Sequence, residues 1–284
     1  MDKQKMKELA VFAAKVRLAA LEGIYNAASG HPGGSLSIAE VMTYLYNCEL
    51  NVRPDQPDWE DRDRFVLSKG HCAPALYAAL GLKGYFDINE LKNLRKLGHF
   101  LQGHPDMKGV PGVDMSTGSL GQGISAACGM ALAAKMSGKD YRVYTLLGDG
   151  ETQEGQVYEA LMFAAHYKLD NLVVMIDNNG LQIDGDIEKV MSPLPYAEKL
   201  SAFNFNVFEA DAHDFESIAA ALDGAKAAKG KPSGIILHSV KGKGVSYMEN
   251  NAGWHGNAPK QEQYEQAVAE LTAALKAAEE GANI

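Results

Sequence analysis

Two short stretches carry residue types suited to a metal ion and a phosphorylated ligand. The first, 147-LGDGETQEG-155, places three acidic side chains and three glycines in nine residues. The second, 177-DNNG-180, puts Asn179 thirty positions after Asp149. One carboxylate, one amide oxygen and a backbone carbonyl suit a hard cation such as Mg2+, which takes few protein ligands and completes its shell with phosphate oxygens and water. Asp, Asn and Gly also build ordinary turns, which accounts for either loop alone. The pair at this spacing favours the metal, because two adjacent strands joined by a helix would bring both loops to one sheet edge. Gly148 and Gly150 would let the backbone approach a bulky polyanion.

Four histidines add to this. His31, His71, His104 and His255 sit in the glycine-containing loops SGHPG, SKGHC, QGHPD and GWHGN. A lone histidine is most often a satisfied hydrogen-bonder, but four in separate loops suit phosphate binding and proton transfer near neutral pH. His99, His166, His213 and His238 lack that setting and read as ordinary polar residues. No HExxH, GxSxG, GxGxxG after a strand, or GxxxxGK[ST] occurs. The 241-KGKG-244 loop has a basic character suited to phosphate but is weak on its own. Glu154 reads by itself as a negative charge at a helix N-terminus.

The elements that would position these residues follow from periodicity. Residues 3–28 repeat apolar side chains at helical spacing and end at 29-SGHPGG-34. A helix over 37–47 follows, with Ser37 and Glu40 set as a capping box. A short buried strand, 65-FVLS-68, leads through a loop into a helix ending near Leu80. The stretch 98–123 is long and rich in Gly and Pro, a pattern that is functional more often than structureless in a compact domain. The small-residue helix 121–138 follows it. Strand 141–147, helix 153–167, strand 172–176, strand 206–210, helix 214–229 and strand 234–240 then alternate, and a last amphipathic helix covers 260–280. Strands apolar throughout and separated by helices predict an α/β fold, a three-layer parallel sheet with helices on both faces. Its ligand crevice lies beyond the carboxyl ends of the strands. No repeat or linker divides the chain, which reads as a single domain over residues 1–284.

Composition sets the outer bounds. With 284 residues, 46% hydrophobic and 22% charged, the chain can bury a large core. A net charge of −9 argues against nucleic acid or an anionic membrane as partner. Three cysteines without CxxC spacing suggest neither a disulfide framework nor a zinc site. The charged N-terminus is unlike a signal peptide and no window reaches membrane-span length. The expected compartment is the cytoplasm.

With these residues in place, a family resemblance emerges. The run from 148-GDG-150 to Asn179 resembles the thiamine-diphosphate binding motif. The blocks 30-GHPGGSLS-37, 68-SKGHCAPALY-77, 103-GHPD-106, 116-STGSLGQGIS-125 and 253-GWHG-256 together resemble the N-terminal half of transketolases, over about residues 10–257. The metal motif is shared by many thiamine enzymes; the histidine blocks in this order are far more specific.

The resemblance implies a thiamine-diphosphate-binding fold and roles by position. Asp149, Asn179 and the Leu181 carbonyl would coordinate Mg2+. Gly150, His71 and His255 would hold the diphosphate, Gly118 and Leu120 would contact the cofactor rings, and Ile183 would help bend the cofactor. His31, His104 and His255 would line the substrate channel and move protons. Glu154 would join a carboxylate network at a subunit interface, overriding its simpler reading. The resemblance also implies a missing half, which supplies the cofactor-activating glutamate and the grip on the sugar phosphate. The chain is therefore expected to be the N-terminal subunit of a split transketolase. It would pair with a C-terminal-like subunit in a two-plus-two heterotetramer and move a two-carbon ketol unit between sugar phosphates. Ser119 and Asn178 stand where some members carry Pro and Asp, and neither is an expected ligand. Half of another thiamine transferase or synthase, and a non-catalytic thiamine-diphosphate-binding regulator, remain as alternatives. The second is disfavoured by four loop histidines beyond what cofactor binding needs.

Overall fold

A computed structural model of the chain describes residues 1–281. Helix α1 (Lys3–Ala27) starts at Asp2, whose carboxylate accepts from the Lys5 N–H. Two short helices follow, α2 (Pro32–Leu36) and α3 (Ala39–Tyr44), then strand β1 (Arg64–Leu67) and helices α4 (Ala73–Lys83) and α5 (Gln122–Met136). Strand β2 (Val143–Gly148), helix α6 (Gly155–His166) and strand β3 (Leu172–Asn178) form the central crossover. A small hairpin comes next, β4 (Leu181–Gln182) with β5 (Gly185–Asp186), followed by α7 (Ile187–Met191) and α8 (Tyr196–Ala202). The chain closes with β6 (Asn206–Asp211), α9 (Phe215–Ala227), β7 (Ser233–His238) and α10 (Gln261–Glu280).

Five strands form one sheet in the order β1-β2-β3-β7-β6, every neighbouring pair parallel. Side chains alternate between its faces, as strand geometry requires. Tyr144, Leu146, Val173, Met175, Ile235 and Leu237 pack on one face with α1, α3, α4 and α9. Val143, Leu147, Leu172, Val174, Ile176 and Ile236 pack on the other with α5, α6 and α8. The expected three-layer α/β architecture is what forms. Helix α10 lies against α1 through Leu21, Ala267 and Leu271, beside a parallel stack of Tyr25 on Tyr264 with ring centroids 3.9 Å apart.

Several local expectations are corrected. Ser37 and Glu40 do not form a capping box: Ser37 lies at the C-terminal end of α2, and both side chains serve distant partners. Residues Gly150–Gln153 form a 3-10 turn before α6 begins at Gly155. Residues 177–186, whose sequence reads as a loop, contain the β4–β5 hairpin, and α7 and α8 fill the stretch before β6, for which no element is expected from the sequence. Strand β6 is half-exposed along most of its length because it is the sheet edge. The long 98–121 segment lacks regular helix or strand but is anchored by buried Leu101, Val110 and Val113.

The small-residue helix has a steric reason. A Cβ at Gly123, in the first turn of α5, would lie 2.6–2.8 Å from Ser68 Oγ, Cα and Cβ at the exit of β1. A backbone atom at that distance cannot yield cheaply, so Gly123→Ala is expected to lower stability by about 1–3 kcal/mol. Urea denaturation checks this; an unchanged midpoint would show that the β1 exit has slack.

Candidate active site

Register brings the two sequence-predicted loops together. Gly148 at the end of β2 pairs with Asp177 near the end of β3, so the following residues emerge side by side at the carboxyl edge. Asp149 is 3% exposed, with Oδ1 accepting from the Gly150 N–H and Oδ2 from the Gly180 N–H, both at 2.8 Å. No cationic side chain among the described residues lies within ion-pair distance of it. Burial, with the nearby Asp177 charge adding, pushes its pKa up to about 6. The Asn179 amide donates to Asp177 at 3.0 Å, and its oxygen accepts from the Leu181 N–H at 3.1 Å. Asp149 at the β2 exit is therefore held against the Asn179–Leu181 turn at the β3 exit. Among the described residues, no three His, Cys, Asp or Glu side chains cluster as metal ligands. A cation here would draw on one carboxylate, one amide oxygen and one carbonyl. The buried carboxylate without a counter-cation fits such a group.

Beneath this turn lies a buried ion pair that sequence reading missed. Lys69 and Asp177 are 1% and 0% exposed and in direct contact. Lys69 also donates to the Gly34 carbonyl at 3.0 Å, while Asp177 accepts from Ser37 at 2.8 Å and from Ser239. Burial works against the Asp177 charge, but the Lys69 ammonium and the hydroxyl donors outweigh it and hold its pKa below the usual carboxylate range. Glu151 is also buried, accepting from the Gly121 and Gly148 N–H groups and from Ser68. It ties the α5 entry to the β2 exit.

The four loop histidines converge. The His31 ring centroid lies 5.1 Å from His71, 6.3 Å from His104 and 5.4 Å from His255, and His71 lies 5.2 Å from His255. His31 Nδ1 is buried and has no hydrogen-bond partner among the described residues. Burial holds every one of these rings below the ordinary histidine pKa. His31 is held at about 4, with Arg95, His104 and Lys241 adding, and His255 at about 3, with Lys241 adding. His71 is depressed well below its usual value and His104 is lowered. At neutral pH the cluster therefore presents neutral imidazoles.

Lys241 completes the arrangement. It is 2% exposed, donates to the Leu181 carbonyl at 3.1 Å and lies 3.0 Å from His255 Nδ1. Unlike Lys69, it has no carboxylate within ion-pair distance among the described residues. The signal for it was the 241-KGKG-244 loop; for Lys69 it was the SKGHC block, where only the histidine drew notice.

The remaining predicted residues frame the cluster. Gly118 has φ +139°, and a Cβ there would lie 2.7 Å from a ring carbon of His104. A Cβ at Gly150 would meet Gln182 at 3.1 Å, whereas one at Gly148 would find ordinary contact with Lys69 at 3.7 Å. Leu120 and Ile183 are exposed apolar side chains, Ile183 at the tip of the β4–β5 hairpin. Glu154 is exposed at the N-terminus of α6, against Gly121.

Fold and site together define an α/β protein that gathers a buried carboxylate, two buried lysines and four imidazoles at the carboxyl edge of its sheet. Residues 9–276 match the family described as transketolase, thiamine diphosphate binding domain, and the chain belongs to that family. It is 47% identical over 256 residues to a 6-deoxy-6-sulfo-D-fructose transketolase subunit of Clostridium sp. (strain MSTE9), covering 90% of this chain and 93% of that protein. It is 45% identical over 269 residues to an apulose-4-phosphate transketolase subunit of Phocaeicola vulgatus, covering 95% of each. The transketolase structure from Leishmania mexicana superposes with a TM-score of 0.87 at 32% identity, over 96% of this chain and 44% of that one. The chain thus spans nearly all of the two subunit relatives and less than half of the longer transketolase. Among the described residues, no helix is long and apolar enough to cross a membrane.

The depressed histidines set a pH dependence. A histidine whose folded pKa lies below its unfolded value of about 6.5 stabilises the fold above pH 6.5. That contribution is lost as pH falls, because the unfolded chain takes up protons that the folded chain refuses. The ligand-free chain should therefore lose thermal stability between about pH 6.5 and 4. His31→Gln should flatten that slope, as scanning calorimetry across the window would record. An unaltered slope would show that His31 is freely hydrated.

Proposed function

We propose that this chain is the thiamine-diphosphate- and Mg2+-binding subunit of a two-component transketolase. It would act as one domain, in the cytoplasm, with a separate C-terminal-like subunit in a two-plus-two heterotetramer. The pair would transfer a two-carbon ketol unit from a ketose phosphate to an aldose phosphate. The observation that carries this reading is the convergence of His31, His71, His104 and His255 beside Asp149 and the Asn179–Leu181 turn, far more imidazole than a cofactor alone requires. Its near-complete coverage of relatives named as transketolase subunits supports the two-component form. Those relatives are named for a sulfonated and a phosphorylated sugar, which supports an anionic sugar as substrate.

In this reading Asp149, Asn179 and the Leu181 carbonyl hold Mg2+. Gly150, His71, His255 and Lys241 hold the diphosphate, while Gly118, Leu120 and Ile183 flank the rings. When bound, thiamine diphosphate supplies the electron sink that lets a carbon–carbon bond beside a carbonyl break and re-form. The work of the chain is to place and protonate. Neutral His31, His104 and His255 can each accept a proton from a sugar hydroxyl or donate one to a carbonyl oxygen. His31 Nδ1, buried and without a partner, is the atom most open to such a contact. Glu154, exposed at the start of α6, would face the partner.

The test combines this chain with the product of a reading frame resembling the transketolase C-terminal half, plus thiamine diphosphate, Mg2+, a ketose phosphate donor and an aldose phosphate acceptor. Ketol transfer is expected from the mixture and from neither chain alone; activity of this chain alone would overturn the two-component form. Asp149→Ala should abolish Mg2+-dependent cofactor binding. Lys241→Met should weaken it about tenfold or more, the worth of one charge-assisted hydrogen bond. Unchanged calorimetric affinity in either variant would refute the role given to that residue.

A further inference from the structure

His213 has no sequence feature that marks it, yet it joins the helical layer to the site. It follows β6 and is largely buried. Its Nδ1 lies 3.0 Å from Glu40 Oε2, and its Nε2 accepts from the Val240 N–H at 2.9 Å. An amide N–H can only donate, so Nε2 must be bare and the ring proton must sit on Nδ1, facing the carboxylate. Glu40 on α3 is itself gripped by both terminal nitrogens of Arg17 on α1, at 2.6 and 2.7 Å. Burial opposes the Glu40 charge, but Arg17 and His213 outweigh it and hold the pKa down to about 2. The carboxylate therefore keeps its charge, and the imidazole keeps one tautomer.

What the imidazole holds is the link between β7 and the 241–244 loop. Ser239 N donates to the Asn178 carbonyl at 3.2 Å and Gly242 N to the Gly33 carbonyl at 2.9 Å, fixing the two ends of this link. Between them, the Val240 N–H has a side chain as its partner. The residues on either side of Val240 are the ones that reach the site: Ser239 donates to Asp177, and Lys241 donates to the Leu181 carbonyl and touches His255. We infer that His213 is a positioning residue, which by accepting from the Val240 N–H sets the 239–241 peptide so that the Lys241 ammonium is presented to the cofactor's diphosphate. This rests on the role proposed for Lys241 above. His213 acts through the backbone and touches none of the residues assigned to ligand or metal.

Two measurements test it. In the chain alone, amide exchange read by NMR should show Val240 protected, and His213→Leu should speed its exchange. His213→Gln, whose side-chain oxygen can reach the same N–H, should preserve protection. His213→Asn, which keeps a donor for Glu40 but falls short of Val240, should not. In the assembled complex, thiamine diphosphate titrated with Mg2+ should bind about 10- to 100-fold more weakly to His213→Leu, the range found for groups that orient ligands. His213→Gln should recover most of that loss. His213→Leu should also add little to Lys241→Met, because coupled residues are non-additive. Wild-type exchange or wild-type affinity in His213→Leu would overturn the inference, as would full additivity with Lys241→Met. If His213→Leu does not fold, the Gln and Asn variants carry the same comparison. If wild type itself binds no cofactor, the function proposed above fails, while the exchange result still decides whether His213 holds Val240.

Discussion

The buried ion pair of Lys69 and Asp177 is the constraint on which the carboxyl edge of the sheet depends. Placing both ions in the interior costs several kcal/mol each before their attraction is counted. The cost is offset by the surrounding hydrogen bonds: Gly34 accepts from Lys69, while Ser37, Ser239 and Asn179 donate to Asp177. The pair thereby joins the exit of β1, the end of α2, the exit of β3 and the exit of β7 at one point. Such a pair is a weak source of net stability, but losing one partner strands a charge, so it acts chiefly to specify one arrangement. It also divides the labour of the charges. Asp177 is consumed by Lys69 and is not available as a ligand. That leaves Asp149 as the carboxylate open to a cation and Lys241 as the ammonium open to an anion.

Once the strand ends are fixed, the glycine-rich blocks allow the loops above them to touch. A Cβ at Gly70 would sit 2.7 Å from the backbone of Thr117 and Gly118. One at Gly33 would sit 2.9 Å from the Trp254 carbonyl and 3.0 Å from the Lys241 side chain. Glycine at these points brings the loops of His31, His71, His104 and His255 close enough for their rings to gather. The motifs that suggested a ligand-approaching backbone are therefore also places where backbone approaches backbone. Gly148, Gly155 and Gly180, where an added Cβ would meet no atom closer than 3.7 Å, are exceptions.

That distinction explains what could be read from sequence. Buried parallel strands announce themselves as continuous apolar runs, so the three-layer sheet and the spacing of Asp149 and Asn179 were legible. Edge strand β6 was found as an element, but its exposure depends on sheet order, which no local pattern encodes. Ser37 and Glu40 have capping-box spacing, yet long-range partners, Asp177 for the serine and Arg17 with His213 for the glutamate, claimed both side chains. Local propensity loses to a buried charge that must be satisfied. Lys69 gives no signal of its own in the sequence and Lys241 only a weak one, for a related reason. A lysine in a glycine loop looks solvated until the fold shows that it is buried, and only then does its ion partner, or the lack of one, carry meaning.

The electrostatics of the site follow from the same accounting. The chain carries a net charge of −9, yet its candidate site gathers two buried lysines and four imidazoles. Were all four rings protonated beside Lys241, their mutual repulsion in a poorly solvated pocket would be prohibitive. Depressed histidine pKa values resolve this, because neutral rings keep their hydrogen-bonding capacity without the charge. Two groups remain without an ion-pair partner in contact among the described residues, the Asp149 carboxylate and the Lys241 ammonium, which attract each other only across a longer gap while the ammonium donates to the Leu181 carbonyl. A ligand that carries a divalent cation on one side and phosphate oxygens on the other answers both at once. Either part alone would leave one buried charge unmatched, so cation and anion should each strengthen the binding of the other.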